Sequence, residues 1–114
     1  GEETKEPTTL EGKIVQDADW LDALGAIGIA RTFAAGGHIN RMMHDPHKRP
    51  RKFLSKNDYL YKKTDGTSVN YFYEKLLKLP ALMNTTAARE LAHGREEFIQ
   101  IFMKEFLAEW SGKK

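Results

Sequence analysis

Three aspartates, Asp17, Asp19 and Asp22, fall within six residues in the stretch 16–37, QDADWLDALGAIGIARTFAAGG. Carboxylates are hard oxygen ligands suited to Mg²⁺, Mn²⁺ or Fe²⁺, and they also complement the dipole near a helix start. On a helix, Asp19 and Asp22 lie three apart and share a face, while Asp17 projects about 200° from Asp19. Spacing alone leaves two readings open, metal ligation or a solvated acidic face. A second cluster, His44-Asp45-Pro46-His47, holds metal-ligating types in a proline-containing loop, where an exposed turn is the simpler reading. The basic run His47-Lys48-Arg49-Pro50-Arg51-Lys52 could meet a polyphosphate or a nucleic acid, although most such runs are solvated loops. Gly36-Gly37 lacks the spacing and the following Lys-Ser/Thr of a phosphate-binding loop.

The elements that position these groups read as helices joined by one long loop. Thr8-Thr9-Leu10-Glu11 resembles a capping box and sets a helix start at Thr8 or Thr9. From Ile14, the positions Ala18, Leu21, Gly25 and Gly28 keep helical spacing, and Ala23, Gly25, Ala26, Gly28 and Ala30 make one side nearly smooth. The spacing predicts one helix, stopped at Gly36-Gly37 by positive φ. Residues 38–66 lack periodicity and form a long loop, with a short helical turn expected near 55–61. Val69, Phe72, Leu76 and Leu79 predict a helix ended by Pro80. The last helix starts after Thr85 and runs to Ser111-Gly112, with Phe98, Phe102 and Phe106 as a core ladder. Tyr59, Tyr61, Tyr71 and Tyr73 read as packing groups, His38 as a loop residue and His93 as a helix-surface residue. No strand pattern emerges, so the expected class is all-α, with residues 1–8 a disordered tail and 9–112 the helical domain.

The 114 residues carry 18 Lys/Arg against 16 Asp/Glu, a net charge of +2 that argues for neither nucleic acid nor an anionic membrane. Residues 44–65 concentrate seven Lys/Arg against three Asp. The absence of cysteine excludes disulfides, a thiolate nucleophile and thiolate metal sites, and fits a cytoplasmic location. No apolar run approaches the ~20 residues of a membrane span.

The core Ala18-Asp19-Trp20-Leu21 resembles the last motif of the HD-domain metal-dependent phosphohydrolases. Residues 10–37, and the segments VNYFYEKLLKLPALMNTTAARELA and REEFIQIFMKEFLAEW, resemble the second half of small bacterial nucleotide pyrophosphohydrolase-like HD proteins. The resemblance implies a divalent metal (Mn, Mg or Fe), with Asp19 as its terminal aspartate ligand. Asp17 and Asp22 would flank it or sit behind it, and Arg31 and Lys75 would assist phosphate binding. The substrate would be a phosphate-containing small molecule, above all a nucleotide. Two positions depart from the family pattern: Trp20 stands where Arg is usual, and Tyr71 where His is usual. The family's upstream His and His-Asp ligands have no counterpart before Gln16, and His44-Asp45 follows the motif instead of preceding it. One aspartate holds a divalent ion poorly, so weak or absent metal binding and an inactive isolated chain are expected. Either a complementing N-terminal half or a homodimer through the bare Ala23–Ala30 face would complete the fold. The alternative is a non-catalytic helical interaction module that keeps the HD scaffold.

Overall fold

A computed structural model describes residues 6–52 and 65–114. The helical turn expected near 55–61 and the packing roles of Tyr59 and Tyr61 lie outside the described residues. The described elements are all helical: α1 (Leu10–Leu21), α2 (Gly25–His38), α3 (Ser68–Glu74) and α4 (Thr86–Trp110), with 3-10 turns at Leu76–Lys78 and Pro80–Leu82. The all-α expectation holds. No described helix is long and apolar enough to cross a membrane.

Thr9 caps α1, its hydroxyl accepting the Gly12 amide at 3.0 Å. Because the third helical position is Gly12, Glu11 does not complete the capping box. The predicted single helix is in fact two. The Ala23 and Leu24 amides fold back to the carbonyls of Trp20 and Leu21, both at 3.1 Å, and Gly25 then adopts φ +69°. A side chain at Gly28 would place its Cβ 2.2 Å from the Ala23 carbonyl oxygen, so the turn can close only on glycine. Helical spacing continues across this break, which is why periodicity alone reads through it.

Gly36-Gly37 does not stop α2, which runs to His38. The left-handed position is taken by Asn40, with φ +59°. The Arg41 amide reaches the Gly36 carbonyl at 2.8 Å and the Asn40 amide the Gly37 carbonyl at 3.2 Å, the paired closure of a Schellman cap. Gly36 serves a different need, since a Cβ there would lie 2.3 Å from the Ser68 hydroxyl where α3 meets α2.

At the start of α3, the Ser68 and Val69 amides donate to the carbonyls of Met42 and Met43, each at 3.0 Å, and Thr67 accepts the Asn70 amide. The donors that a helix start leaves unpaired are thus met by loop backbone. The helix predicted to reach Pro80 ends instead at Lys75, whose φ −136° and ψ −58° turn the chain into the 3-10 segments. Helix α4 begins after Thr85 as predicted and closes at Ser111-Gly112, with Gly112 at φ +72°.

Leu24, Ile29, Phe72, Leu76, Ala92, Ile99 and Met103 are buried between α2, α3 and α4. The Phe33 ring sits among them, with centroids 6.1 Å from Phe72, 6.0 Å from Phe102 and 5.7 Å from Phe106. Phe102 and Phe106 join this core as expected, but Phe98 is 45% exposed and stands outside it.

Candidate functional site

The three aspartates of α1 have separate environments. Asp17 is 3% exposed and its carboxylate accepts four hydrogen bonds at the entrance to α4. Oδ1 takes the Asn84 amide at 2.7 Å and its Nδ2 at 3.0 Å; Oδ2 takes the Thr85 amide and hydroxyl, both at 2.9 Å. Thr85 passes the connection on by accepting the Ala88 amide, capping α4. Burial pushes the Asp17 carboxyl up, but the donors of Asn84 and Thr85 outweigh it and hold the group below its ordinary value. This carboxylate fastens α1 to α4, and its oxygens are already occupied by the chain itself.

Asp19 and Asp22 are exposed. Asp22 is the C-cap of α1, and its carbonyl accepts Arg31 Nη1 at 3.5 Å. The structure therefore brings Arg31, a predicted phosphate contact on α2, to the end of α1 near the acidic motif. Lys75, the other predicted contact, lies half-buried at the break after α3. Among the described residues no group of three or more His, Asp or Glu is gathered where a metal could be held. Asp19 offers suitable chemistry, but the described residues alone do not form a divalent-ion site.

The basic run forms a second feature. Glu74, almost fully buried, accepts the Arg51 amide at 2.8 Å, Nε at 2.9 Å and Nη2 at 3.0 Å. Asn70 Nδ2 donates to the Lys48 carbonyl at 3.0 Å, and Lys48 Nζ to the Asp65 carbonyl at 2.9 Å. These contacts strap residues 48–51 across α3 and border an open pocket of about 380 Å³ lined by Lys48, Arg49, Arg51, Asp65, Gly66, Asn70 and Glu74. Reasoning from sequence missed this strap. Its only signal was Glu74 falling between the inward positions Phe72 and Leu76, where an acid requires a partner.

The His44–His47 cluster is not a metal cluster. Asp45 Oδ1 accepts the His47 amide at 2.9 Å, while the His44 ring packs against Phe106 and Trp110. Arg41 lies over the Tyr71 ring at 5.1 Å and donates to the Ser68 hydroxyl. His93 is a helix-surface residue, as expected, paired with Glu97 at 2.8 Å.

No protein-family model matches the chain. It is 40% identical over 105 residues to the uncharacterized protein YpgQ of Bacillus subtilis, covering 92% of this chain and 42% of YpgQ. A solved Lactobacillus plantarum protein superposes with a TM-score of 0.86 at 45% identity, over 96% of this chain and 53% of that one. A Bacillus thuringiensis structure described as an HD-superfamily hydrolase gives 0.73 at 50% identity, over 90% and 47%. The structure of B. subtilis YpgQ in complex with ADP gives 0.64 at 39% identity, over 89% and 44%. The chain spans about half the length of these relatives. Its helices have the HD-like fold.

Proposed function

We propose that this chain supplies the Asp19 side of a divalent-metal phosphohydrolase that acts on nucleotides. The observation that carries the reading is the 50% identity, over 90% of the chain, to a protein described as an HD-superfamily hydrolase. The ADP complex of YpgQ supports a nucleotide as the substrate class. A divalent ion would supply an acidified water and charge neutralisation at phosphorus. The described residues do not complete a site for it, so the remaining ligands must come from further polypeptide in the working protein. Within this chain, Asp17 sets the position of α1 and hence of Asp19. Arg31, which reaches from α2 to the end of α1, and Lys75 supply positive charge for phosphoryl oxygens.

Replacing the matching segment of the B. thuringiensis hydrolase with this chain tests the reading. The chimera should release phosphate from nucleoside triphosphates in Mn²⁺, and Asp19→Ala should lower the rate by more than about 100-fold, beyond the range typical of outer-sphere contacts. A folded chimera without hydrolysis would favour the second reading, a non-catalytic helical module. The lack of a three-ligand cluster among the described residues is the observation on its side.

A further inference from the structure

The contacts at α3 commit part of the basic run to structure and leave the rest over. Glu74 is 3% exposed, and its carboxylate accepts the Arg51 amide, Nε and Nη2, so its charge is cancelled within the chain. A side chain at Gly66 would place its Cβ 2.8 Å from Arg51 Nη2, so glycine opens the pocket wall to the guanidinium. Asn70, 4% exposed, donates to the Lys48 carbonyl, and Lys78 Nζ donates to the Lys52 carbonyl at 3.2 Å. The backbone of residues 48–52 is therefore held at Lys48, Arg51 and Lys52 without a ligand, a pre-organisation that lowers the cost of binding one.

What is left over is cationic. Lys48, Arg49 and Arg51 line the open pocket against Asp65 and Glu74, and Lys78 reaches the same strap at Lys52. Among the described residues the Arg49 guanidinium has no hydrogen-bond or ion-pair partner, and Lys48 Nζ makes one bond, to the Asp65 carbonyl. The volume of about 380 Å³ falls within the ~300–1,000 Å³ of small-ligand sites. We propose that this pocket binds a small anion bearing phosphate groups, with Arg49 and Lys48 as its contacts. A guanidinium meets phosphate oxygens with two parallel donors, and an ammonium adds a point charge beside it. The excess of positive charge is confined to this pocket and its strap in a chain of net charge +2, which suits a small anion better than a long polyanion. The inference goes beyond the hydrolase reading, since no metal takes part and neither Asp19 nor Arg31 lines the pocket.

The experiment titrates the ¹⁵N-labelled 114-residue chain with pyrophosphate in the presence of a metal chelator and follows the amide shifts. The amides of Lys48, Arg49, Gly66 and Asn70 should move together and saturate. Arg49→Glu should weaken binding more than about tenfold, as for loss of a charge-assisted hydrogen bond. Lys104→Glu, the same charge change at an exposed position of α4, should alter it less than about twofold, because salt screens a distant charge. No saturable shift, shifts centred on Asp19 and Arg31, or equal weakening by the two substitutions would each overturn the proposal. So would a single-stranded oligonucleotide that binds more tightly than pyrophosphate. ADP is titrated alongside: shifts at the same amides support the pocket with a nucleotide as the phosphate source, and shifts from pyrophosphate alone support it with the free anion. The hydrolase chimera is titrated in the same way and must repeat the contrast between Arg49→Glu and Lys104→Glu, which guards against an isolated chain that folds poorly. Turnover is not read, so binding in an inactive chimera would sink the proposed hydrolysis alone, and hydrolysis without this binding would sink the pocket alone.

Discussion

Asp17 and Asp19 stand two residues apart on α1 and have opposite fates. One is sealed against the start of α4 by four donors; the other faces solvent. The difference teaches that neighbouring acids in one motif can have different environments, one buried in the joint between helices while the other lies at the surface. Glu74 provides a further contrast. It is as buried as Asp17, but its charge is met by the Arg51 guanidinium instead of by neutral donors at a helix entrance.

The sharpest way to break this comparison is to truncate each acid. Asp17→Ala should cost about 3 kcal/mol in urea unfolding, because it strands buried donors of Asn84 and Thr85 as well as losing their bonds. Glu74→Ala should cost less, about 2 kcal/mol, since the Arg51 side chain is 30% exposed and can recover water. Asp19→Ala should stay within about 0.5 kcal/mol of the parent, as an exposed substitution does. A stability loss at Asp19 equal to that at Asp17 would erase the distinction.

Acid titration sharpens the same contrast. The folded Asp17 carboxyl lies below its ordinary value of 3.8, so the unfolded chain binds more protons through that window. Its contribution to stability is therefore fully present above the ordinary value and is lost as pH falls through the folded one. Asp17→Asn should remove that part of the pH dependence, read as a shallower decline in unfolding free energy below about pH 4. The smallest expected effect concerns Asn40, whose left-handed φ glycine adopts without strain. Asn40→Gly should change stability by only a few tenths of a kcal/mol, in the favourable direction.

The helices and their threonine caps at Thr9 and Thr85 were legible in the sequence, because both signals are local. The break before Gly25 was not, since residues on either side keep the same periodicity and the decisive fact is contact between the Ala23 carbonyl and Gly28. The stop at Gly36-Gly37 was misplaced for a related reason. Gly36 is required by the approach of Ser68, 32 positions away, and not by its own φ. At the candidate site, the acidic cluster of Asp17, Asp19 and Asp22 stood out by spacing, while the resemblance alone pointed to Arg31. The inward turn of Asp17 depends on Asn84, a partner that no local pattern announces. Phe98 shows the limit from the other side. Its spacing matches the core ladder, but only the position of α2 decides that it stays outside.

The bond between Asp17 and Asn84 spans 67 positions in the chain. Its ends meet only after a long segment has been closed, and the closure entropy must be met before any of the four bonds can form. Docking of α1 is therefore a non-local event in folding, as is the Phe33–Phe102 contact of α2 with α4, which spans 69 positions. Neither junction can form before the chain between its ends has closed, so this segment is expected to fold more slowly than a bundle of locally paired helices.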